Sequence, residues 1–227
     1  MSNIRKKFES IAIAILVGGK STRFGSDKGL FEFLNKPLIS YQLETLYQSN
    51  YDLFIAAHTK NQVQDYIMKI DLKNIVAFII DDYELISNLD IYTPMRGLYS
   101  VFKELKSLNY KKVLTLACDT PLIQYNVIEF IIEESKGFDC CIPRWNNGFL
   151  EPLYAVYHIK KSYLKAKENL IKGDFKLRSL LDKSWSINYI SIENQIKPID
   201  QELLTFININ KSGDLDKLKA VYFKKSM

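Results

Sequence analysis

The sequence predicts a single α/β domain in which a mostly parallel β-sheet is covered by helices on both faces. Short, nearly continuous apolar runs alternate with longer segments of helical periodicity, which is typical of a parallel sheet buried on both sides. The 227 residues are 47% hydrophobic, which is enough to form one sizeable core. We therefore expect an N-terminal extension at 1–10 and one domain at 11–223, whose two halves meet at residues 122 and 123.

The elements follow one another in a regular order. The apolar runs predict strands at 11–17, 53–57, 75–80, 113–117, 139–142, 153–157, 187–192 and 204–207. The periodic segments between them predict helices at 37–48, 61–69, 95–105, 125–134, 161–171, 176–182 and 213–222. The alternation weakens after Pro143, so we expect a more mixed second half that includes antiparallel strands.

Composition excludes several classes of protein. The net charge of +5 is only mildly basic, and it suits anionic small molecules as well as nucleic acid. No apolar run approaches the roughly 20 residues that a membrane helix needs. Cys118, Cys140 and Cys141, with only two histidines in the chain, indicate neither a disulfide framework nor a zinc site. We expect a cytoplasmic protein with reduced thiols.

The loop after the first strand carries the strongest chemical signal. It contains four of the nine glycines and three cations: Gly18, Gly19, Gly25, Gly29, Lys20, Arg23 and Lys28. Glycines let backbone N–H groups approach an anion, and cations neutralise phosphate charge. Gly19-Lys20-Ser21 is how a P-loop ends, but a P-loop needs a further glycine where this chain has Ala14. The loop therefore predicts another kind of phosphate site, with a plain glycine turn as the alternative.

Asp119 is a candidate metal ligand. It follows the strand predicted at 113–117, so it projects from the carboxyl edge of the sheet, where ligands of such folds bind. A carboxylate at this edge can hold Mg²⁺, which would bridge to nucleotide phosphates. The same position suits an aspartate that caps the helix starting near Pro121. Both alternatives remain open on the residues alone.

Four motifs in a fixed order resemble one family of enzymes. Residues 16–30, L-V-G-G-K-S-T-R-F-G-S-D-K-G-L, are similar to the signature L-A-G-G-x-S-x-R-M-G-x-D-K, and T-P-M-R-G-L at 93–98 is similar to G-P-L-x-G-[LM]. C-D-T-P at 118–121 matches C-D-x-P, and F-I-N-I-N at 206–210 resembles F-x-N-[IV]-N. From about residue 11 to about residue 220 the chain thus resembles the molybdenum cofactor guanylyltransferases.

The resemblance implies a fold, a reaction and a set of partners. The fold would be Rossmann-like, of the nucleotide-diphospho-sugar transferase type, with a nucleotide-binding half at 11–122 and an acceptor half at 123–223. The reaction would transfer GMP from GTP to the phosphate of molybdopterin with Mg²⁺ and release pyrophosphate. Such an acceptor is largely dianionic because its second pKa is about 6, so it needs no general base. Contacts with cofactor-biosynthesis or molybdoenzyme maturation proteins are implied, but none with nucleic acid or membrane.

The resemblance also implies individual site residues. The catalytic residues would be Arg23, Lys28 and Asp119, with Asp119 also holding the metal. The nucleotide would be bound by Leu16, Val17, Gly18, Gly19, Lys28, Asp82 and Asp119. The acceptor would be bound by Asn208, Asn210, Arg144 and Glu151. Asp81 is an equal candidate to Asp82 on spacing alone.

One departure from the family pattern leaves alternatives open. The family often has an asparagine that contacts the nucleotide after its second strand, whereas this chain has Ala56-Ala57-His58. A cytidylyltransferase acting on molybdopterin or an alcohol phosphate is therefore the first alternative. A non-catalytic nucleotide or cofactor carrier is the second, although such a protein would be expected to have lost Arg23, Lys28 or Asp119.

Overall fold

The computed structural model describes residues 11–17, 27–85, 93–209, 214, 218, 219 and 222. Its strands are β1 Ile11–Leu16, β2 Glu32–Phe33, β3 Lys36–Pro37, β4 Asp52–Ala57, β5 Ile75–Ile80, β6 Lys112–Ala117, β7 Cys140–Arg144, β8 Val156–His158 and β9 Ile187–Ser191. Its α-helices are α1 Leu38–Leu46, α2 Lys60–Lys69, α3 Pro94–Ser107, α4 Tyr125–Glu134 and α5 Ile159–Lys172. Short 3₁₀ helices at Leu177–Leu180 and Leu204–Phe206 and a π-helical turn at Ile192–Ile196 complete the described elements.

The main sheet is mostly parallel. Among the described residues it has seven strands in the order β5-β4-β1-β6-β8-β7-β9, and β2 pairs with β3 as a separate hairpin. All neighbouring pairs in the main sheet are parallel except those made by β8, which is antiparallel to both β6 and β7. The predicted fold class is confirmed, and the mixed character of the second half comes from β8.

The core lies on both faces of the sheet, because alternate residues of each strand point in opposite directions. Ile13 and Ile15 of β1 pack on the face covered by α1, α2 and α4. Ala12 and Ala14 pack on the opposite face, which is covered by α3 and α5. All four side chains are fully buried, so β1 lies at the centre of the three-layer fold.

Helices α2 and α3 begin at side-chain caps. The hydroxyl of Thr59 accepts from the N–H of Gln62 at the start of α2, and that of Thr93 accepts from Met95 at the start of α3. Pro94 occupies the first turn of α3, where no N–H is needed. These caps fix where α2 leaves the end of β4 and where α3 approaches the end of β1.

Some predicted elements are wrong in kind or extent. The strand predicted at 204–207 is a 3₁₀ helix, because the Asp200 carboxylate accepts from the N–H groups of Leu204 and Thr205 and caps a turn there. The strand predicted at 153–157 begins only at Val156, since the preceding residues form a turn in which Tyr154 N–H donates to the Glu151 carbonyl at 2.9 Å. The helix predicted at 176–182 is a single short 3₁₀ turn.

Other regions were not predicted or are not tested. The β2–β3 hairpin turns through Leu34 and Asn35, both with positive φ, and the sequence pattern did not indicate it. Of the helix predicted at 213–222, the described residues 214, 218, 219 and 222 are helical. Within the described part of the chain, no helix has the length and apolar character required to cross a membrane. The division into halves at residue 122 stays a prediction.

Candidate active site

The carboxyl ends of β1, β4, β5 and β6 lie side by side at one edge of the sheet. The register pairs Leu16 with both Ala56 and Ala117, and it pairs Ala57 with Ile80. The residues that follow these strands therefore share this edge, where ligands of open α/β sheets bind. They include Val17, His58, Asp81 and Asp119.

Lys28 and Asp119 meet at this edge, although they are 91 positions apart in the chain. Lys28 Nζ lies 3.2 Å from Asp119 Oδ2, and the two side chains are 26% and 23% exposed. The pair is thus partly shielded from water but still open to a ligand. A cation and a carboxylate so placed can bind the phosphates and the metal of a nucleotide respectively.

The turn that carries Asp119 is held by a buried glutamine. Gln42 of α1 has no exposed surface, and its Nε2 donates to the carbonyl oxygens of Ala117 at 2.7 Å and Thr120 at 2.8 Å. These two carbonyls lie on either side of Asp119 in sequence. The backbone at Asp119 is therefore fixed by helix α1 as well as by strand β6.

The C-terminal motif reaches the same turn. The N–H of Ile209 donates to the Asp119 carbonyl at 2.8 Å, so Asn208 lies next to a residue bonded directly to the Asp119 backbone. This contact brings together two motifs that are far apart in sequence. The other predicted site residues Gly18, Gly19, Arg23 and Asn210 lie outside the described residues.

A divalent cation fits the surroundings of Asp119. Among the described residues, no group of three or more His, Cys, Asp or Glu side chains could enclose a metal. Mg²⁺ commonly needs no such enclosure, because one or two carboxylates together with substrate phosphates and water complete its shell. Asp119 is partly exposed and hydrogen-bonds Lys28 through Oδ2, so its carboxylate could also serve as a ligand.

The backbone of Leu16 and Val17 is anchored at the end of β1. The Val17 N–H donates to the Ala56 carbonyl at 2.9 Å, and the Leu16 carbonyl accepts from the Cys118 N–H at 3.2 Å. The Val17 carbonyl accepts from Gln62 Nε2 at 2.8 Å. A carbonyl oxygen can accept a second hydrogen bond, so a contact with a nucleotide base would add to these bonds.

Asp81 directly follows β5 at the shared edge. Its Oδ2 lies 2.8 Å from His58 Nδ1, and the two side chains are only 10% and 14% exposed. The hydroxyl of Tyr83 also hydrogen-bonds the His58 ring. Burial raises the pKa of Asp81, although the hydrogen bond and charge of His58 and the charge of Arg96 oppose the rise. Asp81 therefore belongs to a polar cluster at the ends of β4 and β5.

Asp82 has different partners. Its carboxylate pairs with Lys103 of α3 and accepts from the N–H of Glu84, and its own N–H donates to the Ser100 hydroxyl at 2.8 Å. Burial acts to raise the pKa of Asp82, but the hydrogen bonds from Lys103 and Glu84 and the charges of Lys103 and Arg96 lower it. Asp82 is thus engaged with helix α3.

Glu151 lies in the segment between β7 and β8. Trp145 Nε1 donates to Glu151 Oε1 at 2.6 Å. Burial raises the pKa of Glu151; the Trp145 hydrogen bond opposes this rise, and the negative charge of Asp119 adds to it. Glu151 is therefore within electrostatic reach of Asp119. Its place beyond β6 fits the acceptor side of the site.

Three aromatic rings pack together near Glu151, and Arg144 lies apart from them. The ring of Phe206 packs 5.7 Å from that of Trp145 and 5.3 Å from that of Tyr154. The exposed Arg144 guanidinium instead stacks over Tyr189 of β9, at 4.9 Å from the ring centroid. The structure thus brings Glu151 and Asn208 to Asp119, and it leaves Arg144 against β9.

Sequence reasoning missed several residues that hold the site. Gln42 supports the Asp119 turn, while Gln62 and Tyr66 contact Asp27 beside Lys28. The cap pattern at Thr59 could have placed Gln62 in the first turn of α2, near the end of β4. Nothing in the helical periodicity of α1 distinguishes Gln42 from an ordinary polar position.

Comparisons with known proteins identify the family of the chain. A family model described as the MobA-like NTP transferase domain matches residues 13–188. A probable molybdenum cofactor guanylyltransferase from Pyrococcus horikoshii is 32% identical over 89% of this chain and 95% of that protein. Another, from Thermococcus gammatolerans, is 30% identical over 90% of this chain and 97% of its own length.

Solved structures support the fold. Molybdopterin-guanine dinucleotide biosynthesis protein A from Archaeoglobus fulgidus superposes with a TM-score of 0.73 at 23% identity, over 94% of this chain and 99% of that one. A 4-diphosphocytidyl-2C-methyl-D-erythritol synthase from Anaerococcus prevotii superposes with a TM-score of 0.63 at 15% identity, over 94% and 96%. The family model and the curated relatives together show that the chain belongs to the MobA-like NTP transferase family and is a nucleotidyltransferase.

Proposed function

We propose that the protein transfers GMP from GTP to the phosphate of molybdopterin, with or without molybdenum, and releases pyrophosphate. The observation that carries the proposal is the Lys28–Asp119 pair at the carboxyl edge of the sheet. It occurs in a chain whose curated relatives are named molybdenum cofactor guanylyltransferases. A cytoplasmic location and transient contacts with cofactor-biosynthesis or molybdoenzyme maturation proteins belong to the same proposal.

The chemistry requires positioning and charge neutralisation. An oxygen of the acceptor phosphate attacks the α-phosphorus of GTP, the bond to the bridging α–β oxygen breaks, and pyrophosphate leaves with that electron pair. The acceptor is largely dianionic at neutral pH, so no general base is needed. Holding the two reactants in line and neutralising the charge of the leaving group account for the catalysis.

Lys28 neutralises phosphate charge, and we expect Arg23 to act beside it. Asp119 would hold the divalent cation, which we propose to be Mg²⁺. When bound, such a cation neutralises charge on the phosphates as a Lewis acid. Because the Lys28 ammonium and the Asp119 carboxylate lie 3.2 Å apart, both would serve the same phosphate region.

The base of GTP is bound on the β4–β5 side of this pair. The backbone from Leu16 to Gly19 is the proposed base contact, as the sequence motif implies. Of the two neighbouring aspartates we favour Asp81, because it pairs with His58 at the end of β4, next to β1, whereas Asp82 is paired with Lys103 of α3. Carboxylate oxygens accept from the N–H groups on the edge of guanine.

The acceptor is bound on the β7–β8 side. Glu151 supplies a carboxylate near Asp119, and Asn208 and Asn210 supply amide groups beside the acceptor phosphate. The packing of Trp145 against Phe206 gives this side an aromatic wall on which a flat heterocycle can rest. Arg144 remains the least supported of the proposed acceptor contacts, because it stacks on Tyr189.

Pyrophosphate release tests the proposal. Purified protein is supplied with Mg²⁺, molybdenum-loaded molybdopterin and either GTP or CTP, and the dinucleotide product is identified by mass. Turnover with GTP supports the assignment, and a clear preference for CTP would replace it with the cytidylyltransferase alternative. Nucleotide binding without turnover by any nucleotide would favour the carrier alternative.

A further inference from the structure

Gln62 links three parts of the active-site edge. Its Oε1 accepts from the His58 N–H at 2.6 Å, at the end of β4. Its Nε2 donates to the Val17 carbonyl at 2.8 Å, at the end of β1, and also to Asp27 Oδ2. Because the oxygen must face the His58 N–H, the amide has only one orientation that satisfies all three partners.

Asp27 is bonded on both carboxylate oxygens. Oδ2 accepts from Gln62, while Oδ1 accepts from the Gly29 N–H at 2.9 Å and from the Tyr66 hydroxyl at 2.6 Å. Tyr66 is fully buried in α2, so its hydroxyl is a fixed donor. Two side chains of α2 and one backbone N–H therefore hold the residue immediately before Lys28.

The geometry points to a role for this network. We propose that Gln62 is a positioning residue which, through Asp27, sets the backbone of Lys28 so that its ammonium meets the nucleotide phosphates beside Asp119. The inference rests on the proposed function, since that function gives Lys28 its phosphate contact. It also assigns a role in the reaction to helix α2, which contributes none of the sequence motifs.

Gln62→Glu tests the network directly. The glutamate keeps the acceptor for the His58 N–H but places a carboxylate against Asp27 and against the Val17 carbonyl. The assays are run at a pH at which both carboxylates are ionised, where their like charges repel, so Asp27 is displaced and Lys28 with it. We expect kcat/KM for GTP to fall roughly tenfold to a hundredfold, as for a small misplacement of a catalytic group. Gln62→Met, which removes the amide without adding charge, should also lower kcat/KM for GTP.

A double variant separates positioning from simple destabilisation. In Asp27→Asn the single remaining acceptor oxygen cannot serve both Gln62 and the Gly29 N–H, so this variant is impaired as well. In Asp27→Asn with Gln62→Glu the asparagine amide can donate to the glutamate, which reverses the direction of the bond. Activity should then recover well above either single variant, although not fully, because the Val17 carbonyl still faces an oxygen. Such coupling identifies a direct pair.

A readout without the acceptor makes the test independent of the proposed function. Calorimetry with Mg²⁺ and pyrophosphate reports the phosphate contact of Lys28, and Lys28→Met gives the reference loss. Gln64→Glu is the matched control, because it adds the same charge to an exposed position of α2. Weak pyrophosphate binding by Gln62→Glu, its recovery in the double variant and normal binding by Gln64→Glu would support the proposal. Equal binding by Gln62→Glu and wild type, or no recovery in the double variant, would overturn it.

Discussion

The buried amide of Gln42 donates to the carbonyl oxygen of Thr120 at 2.8 Å, and this bond ties helix α1 to the residue that follows Asp119. The same Nε2 also reaches the Ala117 carbonyl at 2.7 Å and the Thr120 hydroxyl at 3.1 Å. One side chain thus satisfies several acceptors around the Asp119 turn. The position of the proposed metal ligand depends on α1, although α1 contains none of the site residues named from the sequence.

Gln42→Met should lower both stability and turnover. Methionine fills a similar volume but leaves buried carbonyl oxygens without this donor, which costs about 1–3 kcal/mol of unfolding free energy. Turnover should fall further than the loss of folded protein explains, because the Asp119 backbone is freed. Urea unfolding and pyrophosphate release measure the two effects. Gln48→Met, at an exposed site just after α1, should leave both nearly unchanged, and an equal effect of the two substitutions would contradict this account.

Asp119→Asn should lower turnover strongly and leave the fold intact. The amide cannot supply the anionic ligand that a divalent cation prefers, and metal stabilisation of transition-state charge is worth several kcal/mol, so a loss of roughly a hundredfold or more is expected. Steady-state kinetics at several Mg²⁺ concentrations and a thermal unfolding curve make the comparison. Asp65→Asn, on the exposed face of α2, is the control. Retained activity in Asp119→Asn would remove this residue from the proposed metal site.

Gly29→Ala should strain the loop beside Lys28. A Cβ at this position would lie 2.2 Å from the Tyr66 hydroxyl oxygen, and the buried Tyr66 ring cannot withdraw. Overpacking of this kind typically costs about 1–3 kcal/mol. Tyr66→Phe in the Gly29→Ala background removes that oxygen and should recover part of the loss, although Cζ at 3.2 Å remains close. Urea unfolding of the two single variants and the double variant measures this coupling, and strictly additive losses would show that the contact is relieved in another way.

The sequence predicts the elements with strong hydrophobic patterns and the motif residues at their ends. The strands β1, β4 and β6 are recognisable because each is buried on both faces and therefore continuously apolar. The edge strand β5 is equally apolar in sequence, although several of its side chains are exposed. That pattern also places Asp119 at the carboxyl edge, where the structure has it. The strand prediction at 204–207 was wrong. The apolar residues of this segment belong to a turn in which the Asp200 carboxylate accepts from the backbone, and a short apolar run alone does not distinguish a strand from a 3₁₀ helix.

The supporting residues could not be found in the same way. Gln42 and Gln62 are glutamines in ordinary helices, and only tertiary contacts make them donors to the site. The choice between Asp81 and Asp82 likewise depends on which direction each side chain takes after β5. Sequence spacing leaves the two equal, whereas Lys103 on α3 pairs with Asp82 and His58 on the β4 side pairs with Asp81.

Stability should depend on pH through Asp139 and Lys161. Burial acts to raise the pKa of Asp139, but the hydrogen bonds from Lys161 and the Ser186 N–H and the charge of Lys161 lower it below its usual value. A carboxyl group with a lowered folded-state pKa stabilises the fold above the ordinary aspartate pKa of about 3.9, and this contribution is lost as pH falls through the lowered value.

Lys161→Met should therefore destabilise the protein at neutral pH and not in acid. The loss is expected to be small, about 0.2–1 kcal/mol, because Lys161 is nearly half exposed and the pair is screened by solvent. Urea unfolding at a series of pH values measures the difference from wild type, which should shrink as Asp139 is protonated. Lys160→Met, at an exposed neighbouring position, should show no such trend. A difference that persists unchanged in acid would mean that Lys161 acts through packing of its stem.

Tyr154→Phe and Tyr157→Phe form a matched pair that tests whether the Tyr154 hydroxyl is hydrogen-bonded. Both side chains are almost fully buried, but the Tyr157 hydroxyl donates to the Pro152 carbonyl at 2.7 Å, whereas the Tyr154 hydroxyl has no partner in the described structure. Deleting a hydrogen-bonded hydroxyl should lower the unfolding free energy by about 1 kcal/mol. Deleting a hydroxyl without a partner should leave the unfolding free energy unchanged or raise it, because burying that hydroxyl costs desolvation energy that no hydrogen bond offsets. Burial and the nearby charge of Asp119 raise the pKa of Tyr154 well above its usual value, so the group is neutral under the conditions of the test. Urea unfolding of the two variants gives the comparison, and an equal loss in both would show that the Tyr154 hydroxyl is hydrogen-bonded after all.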